Sequence, residues 1–257
     1  MLAAIVWGLV QGLTEFLPIS SSGHLVIVPA FLDALGVDIG PPSLAVSAVL
    51  HLGTLIAVIV YFRNDLMSVL RMRTDPQGRK IALLVAVGSI PAAIGFPLRA
   101  RLESMQENVA YVGIALICTG LILLVGQRLA RGVRSLTDGR IPDAIVVGVA
   151  QAFALVPGIS RSGTTISAGN GRDFDPIEAA RFSFLLGIPA IAMAGLISLE
   201  GVSENGGVGI ELVVGVVVAA FSGYLAIAFL LAALRRVGLI PFAIYCFVVG
   251  GLTVLFL

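Results

Sequence analysis

The sequence predicts an all-α integral membrane protein with six transmembrane helices and two re-entrant helix pairs, arranged as an inverted-topology internal repeat. The first observation is composition: 58% of the 257 residues are hydrophobic and 12% are charged, against about 25% charged in a typical soluble domain. The second is that two apolar stretches are interrupted by proline and serine clusters. The third is that these interruptions resemble each other at an offset of 140 positions.

Six uncharged windows are long enough to cross a bilayer, which takes roughly 17 to 25 apolar residues. A seventh apolar stretch, 144–160, ends in Pro157-Gly158 and a serine cluster, so it is interpreted as a half-crossing. The mean hydropathy of +1.05 agrees with a multi-pass protein of the cell membrane. The six windows are 39–62, 81–98, 108–127, 182–199, 212–234 and 237–257.

Charged residues between the windows alternate in a way that fixes a topology. The connectors 63–80 and 128–140 are rich in arginine, which places them in the cytoplasm by the positive-inside rule, and Arg235-Arg236 close the pattern on the same side. The connector 99–107 balances two arginines with two glutamates and suits the outer side. The N-terminus lacks the basic region of a cleavable signal. A net charge of +1 indicates no nucleic-acid partner.

The second interruption lies in the apolar stretch 148–170. Backbone that breaks inside a bilayer is tolerated only where protein or water surrounds it, so this stretch is predicted to be a buried re-entrant loop. A charge at that depth is costly and is therefore a functional candidate. After Pro157-Gly158 the polar residues are Ser160, Arg161, Ser162, Thr164 and Thr165.

The first interruption, in 8–23, has the same design. Adding 140 to each position gives six identities in 16 positions, concentrated at the break. We interpret this as a duplication within a single membrane domain, with one repeat at about 1–135 and the other at about 136–257. The copies differ where Leu155 replaces Glu15 and where Arg161 replaces Ser21. The polar residues of the first break are Gln11, Glu15, Ser20, Ser21, Ser22 and His24.

Each predicted repeat holds one broken segment and three spans. Because an odd number of spans inverts the second copy, the two loops enter from opposite sides and their tips meet near the midplane. Two helix N-termini directed at that point favour an anion, phosphate above all. The guanidinium of Arg161 matches phosphate oxygens. We therefore expect phosphate chemistry within the membrane.

Glu15 does not suit simple anion binding, because it repels the ligand. It fits either a divalent cation that bridges the phosphate or a base that accepts a proton during attack. His24 is a candidate base for a neighbouring serine. His51, near the centre of the window 39–62, is interpreted as a packing residue, with a direct role as the alternative.

The motifs QGLTEFLPISSSGH at 11–24 and PGISRSGTT at 157–165 closely resemble the undecaprenyl-diphosphate phosphatase family, also called bacitracin-resistance proteins. HLGTLIAVIVYFR at 51–63 and ARFSFLLGIPA at 180–190 extend the resemblance through most of the chain. It implies hydrolysis of undecaprenyl diphosphate to the monophosphate and inorganic phosphate on the outer face of the cytoplasmic membrane. This recycles the lipid carrier of peptidoglycan synthesis and confers bacitracin resistance. The implied fold agrees with the count of spans above.

The resemblance also implies residue roles. Glu15 matches the motif glutamate, Ser21 the nucleophilic serine, His24 the motif histidine and Arg161 the phosphate-binding arginine. Many members have a glutamate where this chain has Gln11, so Glu15 is expected to carry any metal site, with a neutral carbonyl at most from Gln11. Phosphate-lining positions are implied at Ser20, Ser160, Ser162 and Thr165; the residues themselves add Ser22 and Thr164.

The expected mechanism begins with Mg²⁺ or Ca²⁺ near Glu15, after which Ser21 attacks the terminal phosphorus. Direct attack by water stays open as a variant. The alternative function is a transporter or flippase of polyprenyl phosphate, since inverted repeats with broken helices are transporter architecture. The sequence leaves open the preferred chain length, the identity of the metal and whether the chain forms a homodimer.

Overall fold

The computed structural model describes residues 1–37, 39–40, 42–98, 102, 104–204 and 209–257. The regular elements of this part of the chain are helices, as predicted for an all-α protein, and short 3-10 turns lie at Phe96–Leu98, Ser104–Glu107 and Leu136–Asp138. The helices are α1 (Leu2–Phe16), α2 (Ser21–Ala34), α3 (Leu44–Tyr61), α4 (Arg63–Leu70), α5 (Pro76–Gly95), α6 (Val109–Leu129), α7 (Ile141–Phe153), α8 (Arg161–Asn170), α9 (Pro176–Glu204), α10 (Ile210–Arg236) and α11 (Ile240–Phe256).

Several of these helices can cross a membrane. Four stretches are long and apolar enough by themselves: Pro76–Leu98, Val109–Leu129, Pro176–Gly195 and Ile210–Arg236. Helix α3 is followed by α4 at a bend of 78°, and the pair counts as a fifth span when taken together. Helix α11 is apolar and has 17 residues. The chain is therefore a multi-pass helical membrane protein, and the count of six spans stays a prediction.

A helix break separates α1 from α2 where the sequence predicts one. Helix α1 ends at Phe16, and Leu17 turns extended because the following Pro18 disfavours helical backbone in the residue before it. Ser20 caps α2 by accepting a hydrogen bond from the Gly23 N–H. Its φ of 70° is unusual for a residue with a side chain, and such strain persists only where surrounding contacts enforce it.

A similar break separates α7 from α8. Ser160 caps α8 and accepts from the Gly163 N–H at 3.1 Å, the same relation as that between Ser20 and Gly23. The backbone of Gly158 takes a φ of 88° in this turn. The buried hydroxyl of Thr119, on α6, donates to the Gly158 carbonyl and accepts from the Ser160 N–H, each at 3.1 Å. One side chain from a neighbouring helix thus satisfies two backbone groups of the break.

The first helix of each broken segment packs against a long helix from the other half of the chain. Helix α1 lies against α10, and α7 lies against α5. A Cβ at Gly8 would come within 2.5 Å of the Gly215 carbonyl, and a Cβ at Gly148 would come within 2.3 Å of the Gly88 carbonyl. Small residues permit this close approach of backbones, which is common between helices in membranes.

Charged side chains anchor the connector before α7. Asp143, which is buried near the start of α7, accepts hydrogen bonds from Arg134 at 2.8 Å and from Arg172 at 2.8 Å. The guanidinium of Arg134 also lies over the Phe174 ring, 5.1 Å from its centroid. The connector that precedes α7 and the turn that follows α8 are therefore joined. Of these residues, Arg134 lies in the connector 128–140, whose charges the sequence analysis uses only as topology signals.

Candidate functional site

The two helix breaks come together around one cavity. The hydroxyl of Ser162, from the second break, donates to the Leu17 carbonyl of the first break at 3.0 Å. A cavity of about 310 Å³ is lined by residues from both breaks. Residues from both breaks therefore share one space. The predicted site residues that line it are Glu15, Ser20, Ser21, Ser22, Ser160 and Arg161.

Glu15 is the centre of the polar contacts in this cavity. It lies in the last turn of α1 and is only 7% exposed. One carboxylate oxygen, Oε2, accepts from the Ser21 hydroxyl at 2.6 Å and from the Gln11 amide at 3.0 Å. The other oxygen, Oε1, accepts from Arg161 Nη2 at 3.2 Å. The carboxylate is thus aimed at a hydroxyl and a guanidinium, and a serine donating to a carboxylate is the arrangement of an activated nucleophile.

Arg161 is the first residue of α8 and reaches across to the first half of the chain. Besides the contact with Glu15, its Nη1 donates to the Ser183 carbonyl of α9 at 3.2 Å. These two contacts hold the planar guanidinium at the edge of the cavity, where it can bind phosphate oxygens through parallel hydrogen bonds. Its partner Glu15 offsets the cost of burying the charge.

The serine clusters mark two helix N-termini at the same cavity. Ser20 lies 3.3 Å from Ser22, oxygen to oxygen, and Ser160 lies 3.2 Å from Ser162 in the same way. The first backbone N–H groups of α2 and α8 lie beside these serines. N-terminal N–H groups and the positive end of the helix dipole favour a bound anion. Two such ends together suit a ligand with more than one anionic group.

His24 does not face this cavity. The ring is 3% exposed, and its two nitrogens lie 2.8 Å from the Ser20 carbonyl and 2.8 Å from the Tyr245 hydroxyl. At the equivalent position of the second break, the Thr164 hydroxyl donates to the Ser160 carbonyl at 3.0 Å. Both residues therefore bind the carbonyl of the serine that caps the helix. In this arrangement His24 supports the turn that presents Ser21.

His51 lines the cavity instead. Its Nδ1 lies 2.8 Å from the Ser47 carbonyl. That contact requires Nδ1–H and directs Nε2 toward Glu15, at 3.8 Å from Oε2. The side chain is 22% exposed. Sequence reasoning favoured a packing role, and the signal that pointed the other way was a polar ring in the middle of an apolar span.

The remaining predicted residues are not among the described residues that line the cavity. Gln11 is fully buried beside Glu15, and Ser162 contacts Leu17 as described. Thr165 lies 2.6 Å from the Ser183 hydroxyl and donates to the Arg161 carbonyl at 2.7 Å. It therefore joins α8 to the same residue of α9 that holds the guanidinium. Ser183 could not be predicted from the sequence, because a lone serine in an apolar helix is common.

Arg181, near the start of α9, makes its contacts away from this cavity. Its guanidinium contacts Asp65 and lies 3.0 Å from Glu178. It is not among the described residues that line the cavity. These contacts join α4 to the first turns of α9.

The sequence model of the family described as bacitracin resistance protein BacA matches residues 4–252. The chain belongs to this family. The match includes both helix breaks and all or most of each helix from α1 to α11, so the BacA family accounts for nearly the whole chain.

Three curated relatives share one name. A protein named undecaprenyl-diphosphatase from a Synechococcus species is 41% identical over 261 residues, covering 96% of this chain and 90% of that protein. Proteins of the same name from Myxococcus xanthus and Methanosphaera stadtmanae are 41% and 36% identical and cover 100% and 99% of this chain. They are matched over 89% and 97% of their own lengths. The resemblance stated from the two motifs is therefore confirmed along nearly the full chain.

Proposed function

We propose that this protein hydrolyses undecaprenyl diphosphate to undecaprenyl monophosphate and inorganic phosphate. The observation that carries the proposal is the Ser21 hydroxyl donating to Glu15 at 2.6 Å, with Arg161 on the other carboxylate oxygen at 3.2 Å. This hydroxyl, carboxylate and guanidinium lie in a member of the BacA family whose curated relatives are named undecaprenyl-diphosphatase. The reaction recycles the lipid carrier for cell-wall glycan synthesis, and bacitracin resistance is typical of the family.

Substrate binding follows from the positive groups at the cavity. The terminal phosphate accepts hydrogen bonds from the first N–H groups of α2 and α8 and from the guanidinium of Arg161. Arg161 then exchanges part of its contact with Glu15 for the phosphate. The hydroxyls of Ser20, Ser22 and Ser160 complete the set of donors. These donors lie in place before substrate arrives, which is how charge that develops in a transition state is stabilised most effectively.

The chemical step uses Ser21 and Glu15. Glu15 accepts the hydroxyl proton as the Ser21 oxygen forms a bond to the terminal phosphorus, and the bond from that phosphorus to the bridging oxygen breaks. The lipid leaves as the monophosphate. Glu15 passes this proton to the departing monophosphate and is a carboxylate again when water attacks the phosphoserine. It then takes a proton from the water and returns it to the Ser21 oxygen as the bond from that oxygen to phosphorus breaks, which releases inorganic phosphate and restores Ser21. In the variant without a covalent intermediate, Glu15 takes the proton of the attacking water instead.

His24 takes no proton in this scheme. Its contacts with the Ser20 carbonyl and Tyr245 support a role in holding the strained backbone of Ser20, and with it the neighbouring Ser21. Glu15 is the nearer base, since it already accepts the hydrogen bond from that hydroxyl. The catalytic role that sequence reasoning gave to His24 thus becomes a positioning role in the proposal.

The residues at the site fit a divalent cation, Mg²⁺ or Ca²⁺. No cluster of three or more histidine, cysteine or carboxylate side chains suited to a metal is found among the described residues. However, Glu15 offers one carboxylate, and the amide oxygen of Gln11 is buried without a hydrogen-bond partner in that part of the chain. Magnesium sites typically combine one or two carboxylates with substrate phosphates. A bound cation would neutralise charge on the diphosphate.

We also propose the finer topology predicted from sequence. It has six spans and two re-entrant pairs in repeats of about 1–135 and 136–257, related by inversion. Support comes from the matched serine caps at the two breaks and from the matched glycine contacts of α1 and α7. The site opens to the outer side of the cell membrane. Support for this side comes from Gln106, which lines the cavity and belongs to the connector 99–107, where two arginines balance two glutamates.

The test is phosphate release by the purified protein in detergent with undecaprenyl or farnesyl diphosphate and Mg²⁺ or Ca²⁺. We expect release by the wild type, loss in Ser21→Ala and little change in Ser89→Ala. Ser89 is the matched control because its hydroxyl donates to a carbonyl of its own helix, outside the cavity. Labelled phosphate retained on Ser21 supports the covalent route. Wild-type turnover by Ser21→Ala eliminates that route.

The same preparation separates the enzyme from a transporter. In vesicles, a flippase moves polyprenyl phosphate between leaflets without releasing phosphate from the diphosphate. Lipid movement with no phosphate release by the wild type would contradict the proposed hydrolysis.

A further inference from the structure

Two helices beside the breaks, α3 and α9, each line the cavity with three residues, and the spacing of these residues along the chain is the same in both helices. Helix α3 contributes Ser47, Ala48 and His51, and α9 contributes Ala190, Ile191 and Ala194. Each set follows positions i, i+1 and i+4, the pattern of neighbouring residues on one helix face. Since α3 and α9 pack together, the cavity lies between two similarly placed faces.

The two faces differ in chemistry. The α3 face carries a hydroxyl and an imidazole, whereas the α9 face consists of aliphatic side chains. The two breaks show the same difference in polarity. Glu15 lines the cavity from the first break, and Leu155 lines it from the equivalent position of the second. Apart from Arg161 and Ser160, the second half therefore gives the cavity an apolar wall, which we define as Ala154, Leu155, Ala190, Ile191 and Ala194.

An apolar wall beside a buried carboxylate and guanidinium needs a physical reason. Water that hydrates the charged groups would also contact the aliphatic surface, which is unfavourable. A ligand with hydrocarbon next to its charged end suits both surfaces. Its charged end pairs with the polar groups, and its hydrocarbon covers the aliphatic side chains in place of water. The geometry points to the isoprene units nearest the diphosphate as the occupant of this wall. This inference rests on the proposed function and assigns the part of the site that recognises the substrate as a prenyl diphosphate.

The size of the cavity limits how much of the lipid it can hold. Pockets that bury most of a drug-sized ligand have volumes of roughly 300 to 1,000 Å³, and this cavity, at about 310 Å³, is at the lower end. It has room for the diphosphate and the first isoprene units, and the rest of the chain lies in the bilayer. We therefore infer that the protein recognises a branched hydrocarbon next to the diphosphate and does not discriminate between substrates by total chain length.

The test compares diphosphates that share the reacting group. Methyl diphosphate carries no isoprene, dimethylallyl diphosphate carries one unit, and farnesyl diphosphate carries three. We expect the wild-type kcat/KM to rise along this series. The variants Leu155→Gln and Ile191→Thr should lower kcat/KM for farnesyl diphosphate by about tenfold to a hundredfold, the effect of losing the burial of one aliphatic side chain. Their kcat/KM for methyl diphosphate should stay within about twofold of the wild type.

Two controls keep the test specific. Val149→Thr changes an exposed residue of α7 outside the cavity lining and should leave both substrates unaffected. Leu155→Met conserves volume and apolarity, so it should restore most of the farnesyl activity. The ratio of kcat/KM for farnesyl diphosphate to kcat/KM for methyl diphosphate, measured in one variant, also does not depend on the amount of folded protein.

The outcomes separate this inference from the proposed function. A wild type that releases no phosphate from any of these diphosphates refutes the proposed function and the inference with it. An active wild type whose substrate ratio is unchanged in Leu155→Gln and Ile191→Thr refutes the inference alone. Equal losses for methyl and farnesyl diphosphate would also overturn it, because the wall would then act on the diphosphate end.

Discussion

Replacing Thr119 with valine removes one buried hydroxyl that serves two backbone groups of the second helix break. Thr119 is fully buried on α6, and its hydroxyl donates to the Gly158 carbonyl and accepts from the Ser160 N–H. Valine has nearly the same shape but cannot make either bond. The substitution therefore tests whether α6 holds the break that leads into Arg161.

The magnitude follows from the two groups left without a partner. A buried donor or acceptor that loses its hydrogen bond costs about 1 to 3 kcal/mol. For two backbone groups we expect a destabilisation of about 3 kcal/mol, since some relaxation of the turn recovers part of the loss. Because Ser160 precedes Arg161, we also expect kcat/KM to fall by about tenfold through displacement of the guanidinium.

The assay is unfolding in detergent, followed by phosphate release at a temperature where every variant is folded. Thr253→Val is the matched control, because Thr253 is also fully buried but donates only to the Val249 carbonyl of its own helix. It should lose less than about 1 kcal/mol. Thr119→Ser keeps the hydroxyl and should resemble the wild type. If Thr119→Val is no less stable than Thr253→Val, α6 does not hold the break.

Three further predictions concern other parts of the protein. Gly148→Val should lower the melting temperature and the activity, because its Cβ would lie 2.3 Å from the Gly88 carbonyl and would push α7 away from α5. The control is Gly251→Val, since Gly251 has open space around it. Equal melting temperatures of the two variants would contradict this packing. Asp143→Asn should cost about 3 kcal/mol in unfolding measurements, because two arginines lose a buried charged partner; an effect below about 0.5 kcal/mol, the size expected at an ordinary surface position, would count against it. His24→Gln should lower the melting temperature with a modest loss of kcat, and a loss above about a hundredfold at unchanged stability would restore the role of base.

Much of the fold could be predicted from the sequence because its signals are local. Long uncharged windows indicate membrane helices, and each predicted window overlaps a described helix over most of its length, although the number of spans stays a prediction. The helix breaks follow from Pro18 and Pro157 with the serine clusters after them. The sharp bend between α3 and α4 was not predicted, because a positively charged connector gives no information about the direction in which a helix leaves the membrane.

The candidate site could be predicted by residue type but not by pairwise contact. Polar groups at depth in a membrane need a reason, which pointed to Glu15 and Arg161, and the family resemblance added Ser21. The structure brings the three within hydrogen-bond distance. The sequence could not tell His24 from His51, since that difference depends on Tyr245, which is 221 positions from His24. Contacts over such separations are set by helix packing. The apolar wall was missed because aliphatic residues are expected everywhere in a membrane protein.

The central claim is that Glu15 and Arg161, from opposite halves of the chain, act as one unit on the diphosphate. The most direct measurement is kcat/KM for undecaprenyl diphosphate in the wild type, Glu15→Gln, Arg161→Ala and the double variant. We predict that kcat/KM falls by at least about a hundredfold in each single variant. The double variant should have a kcat/KM no lower than that of the less active single variant, as for groups that act together. Near wild-type turnover by either single variant, or losses that multiply in the double variant, would contradict the account.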